Sequence, residues 1–177
     1  TTDIARIYGT FPTDDDQLTI EEAGDWLDHR LMELISKKYA GAQLTQSMVR
    51  RWKEEGSHVG DSGNEFMVDL SVEGKKQHVD IGDLIRLACN DLVPHLVEGL
   101  KKIIAGADPE YQAALRNNII LAGGGSLIVG LADRVAQQLA DIGDVTVWCA
   151  EDPVVRVADG ALKLASAMPD EMYTAIE

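Results

Sequence analysis

The segment that limits the folding of this chain most strongly is an apolar stretch that ends in glycines. Residues 119–122 (IILA) run directly into three glycines and a serine at 123–126 (GGGS), and a helical pattern follows. This order predicts a buried strand, a turn and a helix. Glycines in such a turn let the backbone approach a ligand closely and adopt positive φ angles. Two interpretations stay open at this point, a ligand-contacting turn or a flexible connection.

The common phosphate-binding motifs do not describe this segment. Ile128 stands where the third glycine of a GxGxxG dinucleotide motif is needed, and no Gly-Lys-Ser/Thr sequence of a Walker A loop occurs in the chain. The four histidines show no metal-ligand spacing with one another or with the two cysteines. No GxSxG motif is present either. If the glycines contact a ligand, the site is therefore none of these common motifs.

Composition narrows the functional classes. The chain has 177 residues and a formal net charge of −14, which opposes binding to nucleic acids and to anionic membranes. Hydrophobic residues make up 45% of the chain, enough for a core, and aromatic residues only 5%, so aliphatic side chains must fill it. Two cysteines cannot form a disulfide framework. We therefore expect a globular, soluble protein of the cytoplasm that does not insert into membranes.

The first half of the chain predicts strands followed by helices. Strands are expected at 3–11 and 17–23, joined as a hairpin through Asp14-Asp15-Asp16, which is either a solvated turn or a metal site. The helical period then predicts helices from Asp25 to Lys38 and from Thr45, a plausible N-cap, to Gly56. A β-hairpin across Gly74 follows.

The second half alternates helices and strands, which is typical of an α/β fold with a parallel component. A long helix is expected from Asp83 to Ile104, kinked or split at Pro94. A short helix follows Asp108-Pro109, and the pattern then predicts strands at 117–122 and 144–150 and helices at 127–141 and 153–168. The chain does not begin with Met and opens as if inside a strand, so we expect a fragment.

Five segments, taken in order, resemble the actin-like ATPase superfamily. Thr1-Thr2-Asp3 is similar to the end of its second phosphate motif, and Ala23-Gly24-Asp25 to its step into the next helix. Arg50-x-x-Lys53-Glu54 and LAGGGSLIVGL are similar to its adenosine-binding segments. The closing segment is matched by EDP at 151–153 and DGAL at 159–162. YGTFPTDDDQ, DPEYQAALRNNIILAGGGS and DGALKLA further resemble the bacterial actins that align magnetosomes.

The resemblance implies an actin-like (RNase H-like) α/β domain with a small α+β subdomain inserted. The whole chain, 1–177, would be domain II, with residues 1–38 and 81–177 as the sheet-and-helix core and 39–80 as a side lobe. Domain I, which carries the first phosphate loop and the residue that positions the attacking water, would lie outside this chain.

By the same resemblance, ATP or ADP with Mg²⁺ would lie between the two domains. The implied nucleotide-binding residues are Thr2, Gly24, Arg50, Lys53, Glu54, Gly123, Gly124, Gly125, Ser126, Leu127 and Ile128. The cluster at 50–55 has an alternative interpretation as a solvated helix face with Trp52 turned inward. No catalytic residue and no metal ligand is assigned to this chain.

The implied function is that of the C-terminal half of an ATP-binding, filament-forming cytoskeletal protein. The parent would be an ATPase that self-associates into filaments in the cytoplasm, along magnetosomes, with magnetosome-associated adaptor proteins as further partners. This chain alone is expected to be inactive as an ATPase. Two alternatives are a non-catalytic, actin-derived binding or capping module and a sugar-kinase or chaperone relative of the same fold.

Overall fold

Most of the chain packs around one long helix in the computed structural model, which describes residues 1–7 and 12–169. The helices are α1 Gly24–Lys38, α2 Gln46–Gly56, α3 Gly82–Ala105, α4 Pro109–Arg116, α5 Leu131–Leu139 and α6 Arg156–Ala167. The strands are β1 Thr2–Ala5, β2 Gln17–Ile20, β3 Ala42–Gln43, β4 Met67–Val72, β5 Lys75–Asp80, β6 Ile119–Leu121 and β7 Val147–Cys149. Helix α3 contacts α1, α2, α4 and α5 as well as the β1–β2 pair.

The strands form three small sheets in the described part of the chain. β1 and β2 are antiparallel, β6 and β7 are parallel, and β3, β4 and β5 form an antiparallel sheet in that order. The β4–β5 hairpin closes through Glu73 and Gly74, which have φ angles of 51° and 76°. Two successive positive φ angles match the right-handed twist of the flanking strands, which explains the tight connection. The expected hairpin across Gly74 and the parallel component are both confirmed.

The core is aliphatic, as the composition predicts. Helix α1 contributes Leu27, Leu31 and Ile35 at helical spacing, and α5 contributes Leu131, Val135 and Leu139 in the same way. Trp52 on α2 is buried at 4% exposure, so it does turn inward. Truncating one of these leucines to alanine should cost about 2–5 kcal/mol because of lost burial and the cavity left behind.

Helix α3 runs without interruption from Gly82 to Ala105, so the expected split at Pro94 is absent, and the alternative, a kink at Pro94, stays a prediction. Pro94 lacks an N–H, so the carbonyl of Asn90 loses its helical partner. Pro94 lies on the exposed side of the helix, where water can satisfy that carbonyl.

Several element boundaries predicted from the sequence were wrong, including those of α5 and of the first strand. The helix expected at 127–141 begins only at Leu131, because Gly124–Leu127 form a separate 3-10 turn and Gly130, with a φ angle of 81°, is not in a right-handed helical conformation. The first strand, expected at 3–11, ends at Ala5 within the described residues, and positions 8–11 lie outside them. The turn at Asp14–Asp16, between β1 and β2, is stabilised by Asp16, whose carboxylate accepts hydrogen bonds from Thr13 and pairs with Arg6 at 2.6 Å.

Helix α6 is the least buried helix among the described residues. Its sequence is amphipathic, yet none of its residues is buried, and Val157 and Leu162 are 72% and 67% exposed. Within residues 1–7 and 12–169, no helix has both the length and the apolar character needed to cross a bilayer. The assignment of 39–80, which here contains α2 and the β3–β4–β5 sheet, as an inserted lobe stays a prediction.

Candidate functional site

The helices α1 and α2 meet at a cluster of charged side chains, which we call the charged junction: Asp25 and Asp28 on α1, and Arg50 and Lys53 on α2. Asp28 lies between Leu27 and Leu31 on the inward face of α1 and is 1% exposed. Because Arg50 and Lys53 are three residues apart, they lie on the same face of α2. The Asp28 carboxylate therefore receives both cations at once.

Lys53 is held from two sides. Its Nζ lies 2.7 Å from Oδ1 of Asp28 and donates a hydrogen bond of 3.1 Å to the main-chain carbonyl of Gly24. Its side chain is only 14% exposed. A Cβ at Gly24 would lie 3.6 Å from Nζ, an ordinary van der Waals distance. The ammonium group is thus fixed at the beginning of α1.

Arg50 closes the exposed side of the junction. Its Nε donates to Oδ2 of Asp28 at 3.2 Å, and its terminal nitrogen donates to Asp25 at 2.8 Å. The hydrogen bond to Asp28, followed by the charges of Asp28 and Asp25, raises the pKa of the guanidinium. The two cations and the two carboxylates balance, so the junction carries no net charge.

Glu54 and Thr2 lie at the edges of this cluster. Glu54 is exposed, and none of the ion pairs found in residues 1–7 and 12–169 involves it. The Thr2 hydroxyl donates to the carbonyl of Glu22 at 2.9 Å, two residues before Gly24. The structure therefore brings Thr2, Gly24, Arg50 and Lys53 together and leaves Glu54 as an unneutralised carboxylate beside them.

The second part of the candidate site is the glycine turn, residues 123–128. Gly123 has φ 82° and ψ 176°, a conformation that L side chains rarely adopt. A Cβ built on Gly124 or Gly125 would meet no atom within 4 Å. The backbone of these two residues is therefore open to a ligand.

Side chains in the glycine turn have distinct surroundings. Ser126 is buried, and its hydroxyl donates to the carbonyl of Gly123 at 2.8 Å. Ile128 is 5% exposed and belongs to the core, whereas Leu127 is 58% exposed. Among these three residues, Leu127 alone offers an apolar side chain to the surface. Ser126 and Ile128 instead stabilise the turn, Ser126 through its hydrogen bond and Ile128 through packing in the core.

Backbone hydrogen bonds join Val129, the residue after the glycine turn, to the residues that follow α2. The N–H of Val129 donates to the carbonyl of Ser57, and the N–H of Val59 donates to the carbonyl of Val129. Ser57 caps α2 only three residues after Glu54. The two sequence motifs, far apart in the chain, are thus connected by this short parallel bridge.

Two contributors were absent from the sequence prediction. Asp28 lies in the helix expected from Asp25 to Lys38 but was given no role, although a carboxylate between two apolar positions of the inward stripe is a usable signal. Cys149 donates from Sγ to the carbonyl of Ser126 at 3.4 Å, a contact that only the pairing of β6 with β7 creates.

The described part of the chain contains no cluster of three or more His, Cys, Asp or Glu side chains suited to a metal ion.

A comparison with protein-family models decides the family. The model of the MreB/Mbl protein family matches residues 2–172, nearly the whole chain. The chain belongs to the MreB/Mbl family. The resemblance to the actin-like superfamily drawn from five short segments, and the further resemblance to bacterial actins, are therefore confirmed.

Within the MreB/Mbl family, the chain is similar to MamK proteins. It is 35% identical to the actin-like protein MamK of Magnetospirillum gryphiswaldense and 35% identical to that of Paramagnetospirillum magneticum, in each case over 98% of this chain. These matches cover 48% and 50% of the two relatives. The chain thus spans about half the length of the curated relatives that it matches.

Solved structures confirm the actin-like fold. The chain superimposes on a MamK double helical filament with a TM-score of 0.90 at 35% identity, covering 94% of this chain and 51% of the other. It superimposes on a non-polymerising MamK mutant bound to AMPPNP with a TM-score of 0.84 at 34% identity, covering 93% and 50%. Both matches fit the expected α/β fold of this MreB/Mbl chain.

Proposed function

We propose that this chain is the C-terminal half of a filament-forming bacterial actin and supplies the adenosine-binding side of its ATP cleft. The observation that carries the proposal is the bridge between Ser57 and Val129. It joins Ser57, three residues after Glu54, to the residue that follows the glycine turn, whose Gly124 and Gly125 have open space around their backbone. The binding of AMPPNP by a similar MamK protein supports the same assignment.

The charges of the site suit a nucleoside better than phosphate. The junction cations are already paired with Asp25 and Asp28, so the neutral junction attracts a triphosphate less strongly than unpaired cations would. Glu54 can accept hydrogen bonds from ribose hydroxyls, since an ionised carboxylate offers only acceptors. The glycine turn can lie along the base and ribose, with Leu127 as an apolar neighbour. Thr2, near the start of α1, is the residue we assign to the phosphate side.

The activity that follows is ATP hydrolysis coupled to self-association into filaments. Hydrolysis requires Mg²⁺, a positioned water and charge stabilisation of the transferred phosphoryl group. We assign these to the part of the parent protein that this chain does not include. The chain alone should not turn over ATP, and Mg²⁺-dependent hydrolysis by the 177-residue chain would contradict this.

The cellular role proposed is that of a cytoplasmic, MamK-like filament that organises magnetosomes, together with adaptor proteins bound to them. It rests on the filament structures of similar MamK proteins. The alternative, a non-catalytic capping module, is distinguished by whether the complete protein assembles in solution. The complete protein should assemble on addition of ATP, seen by light scattering and electron microscopy, whereas a capping module should not assemble.

The binding test uses the complete protein and AMPPNP with Mg²⁺. Glu54→Gln should raise the Kd about tenfold or more, because hydrogen bonds to a charged acceptor are stronger than those to a neutral one. The matched control is Glu55→Gln, the next residue on the same helix, which lines a separate groove with Met48 and Met67. Equal Kd values for the two variants, or no AMPPNP binding by the unmodified protein, would overturn the proposed site.

A further inference from the structure

A buried carboxylate on the apolar face of α1 has no role in the function proposed so far. Asp28 is 1% exposed and lies among the core residues Leu27, Leu31 and Ile35. Burying a charge is unfavourable unless it is paired, and an apolar side chain of similar size often stabilises a protein better. Packing alone therefore does not account for an aspartate at this position.

The partners of Asp28 are two of the residues that the sequence assigns to the nucleotide. Both come from α2, and Lys53 reaches past Asp28 to the carbonyl of Gly24 at the first residue of α1. Asp28 is thus the buried link between α1 and the helix that carries Glu54. The second connection of α2, from Ser57 to Val129, leads to the glycine turn.

We infer that Asp28 is a positioning residue for the nucleotide. It holds Lys53 against the beginning of α1, and this fixes α2 so that Glu54 and the glycine turn face the adenosine in one geometry. The inference rests on the proposed function. It also accounts for the charge balance, because the pairing leaves Glu54 as the one uncompensated charge among the assigned site residues of α2.

The test is a thermodynamic cycle in the complete protein, with the Kd for AMPPNP and Mg²⁺ as the readout. Asp28→Asn keeps the size of the side chain and removes its charge, and Lys53→Gln removes the partner. Each single variant should raise the Kd about tenfold. If Asp28 acts through Lys53, the double variant should be no weaker than the weaker single variant, because the two changes remove one shared interaction.

A purely structural role would give a different pattern. It would lower the thermal midpoint of Asp28→Asn but leave the Kd of the folded protein unchanged, and this outcome would overturn the inference. Multiplying effects in the double variant would overturn it as well. The double variant contains no unpaired charge at this site, so it should fold even if one single variant folds poorly. Its Kd can then still be compared with those of the unmodified protein and the other single variant.

Asp91→Asn provides the matched control. Asp91 on α3 pairs with Arg30 of α1 at 2.8 Å, so this variant also removes an ion pair of α1, but away from Lys53. Its Kd should equal that of the unmodified protein, and a tenfold increase would overturn the inference by showing that any ion pair of α1 matters equally. No binding by the unmodified protein would overturn the proposed function itself, which separates the two failures.

Discussion

The charged junction and the glycine turn are neighbouring parts of one candidate site, but they are built differently. At the junction, Asp28 and Lys53 are paired and largely buried, and their charges fix the geometry. At the turn, Gly124 and Gly125 have open space where side chains would stand, and the backbone conformation of Gly123 fixes the geometry. The candidate site therefore combines a junction fixed by ionic pairing with a turn that is accessible because it lacks side chains.

The largest expected effect concerns the junction. Asp28→Ala leaves the partly buried Lys53 without its partner, so the free energy of unfolding should fall by about 3–5 kcal/mol. Urea denaturation measures this loss. The control Asp91→Ala, which breaks a more exposed pair, should cost less than about 1 kcal/mol. Similar losses in the two variants would remove the distinction between the junction and an ordinary surface pair.

The two cysteines, one near each region, should differ in their reactivity toward thiol reagents. Burial raises the pKa of the Cys89 thiol, which lies near Lys53 and His58, from 9.0 to about 11, whereas Cys149 beside the glycine turn is exposed. At pH 8, Cys89 should therefore react with a thiol reagent about a hundredfold more slowly than a thiol with a pKa of 9.0, since only the thiolate reacts. Mass spectrometry of partly labelled, folded protein should show label on Cys149 first. Equal labelling rates would mean that the packing around Cys89 opens readily.

A smaller effect is expected for the backbone of the glycine turn. Gly123→Ala places a side chain at φ 82°, which should cost about 1–3 kcal/mol of unfolding free energy. Gly124→Ala is the control, because its Cβ enters open space and should change stability by less than about 0.5 kcal/mol. Thermal or urea unfolding measures both variants. An unaffected Gly123→Ala variant would show that the turn relaxes to another conformation.

The smallest effect should come from the outer pair of the junction, between Arg50 and Asp25, whose side chains are 49% and 79% exposed. Asp25→Asn should shift the urea midpoint only slightly, and this shift should disappear in high salt because exposed charges are screened. The loss in Asp28→Ala should persist in the same salt. A salt-sensitive Asp28→Ala variant would indicate that water reaches the inner pair.

Element types were predictable from the sequence because they depend on local patterns. The hairpin at Glu73-Gly74, the cap at Thr45 and the helix after Asp108-Pro109 follow from residues within a few positions of one another. Boundaries were less predictable, because they depend on distant residues. Helix α5 begins directly after Val129 and Gly130, and Val129 accepts a backbone hydrogen bond from Val59, which is distant in the sequence.

The sequence by itself determined the family and the candidate site residues, because the glycines at 123–125 and the Arg50-x-x-Lys53-Glu54 segment are local motifs. Only the tertiary structure decided how these residues are arranged and paired. Pairing energies depend on the distance and burial of groups brought together by folding, and neither is encoded in a local pattern. For that reason the role of Asp28, and the difference between the paired Lys53 and the uncompensated Glu54, became visible only once α1 and α2 were packed together.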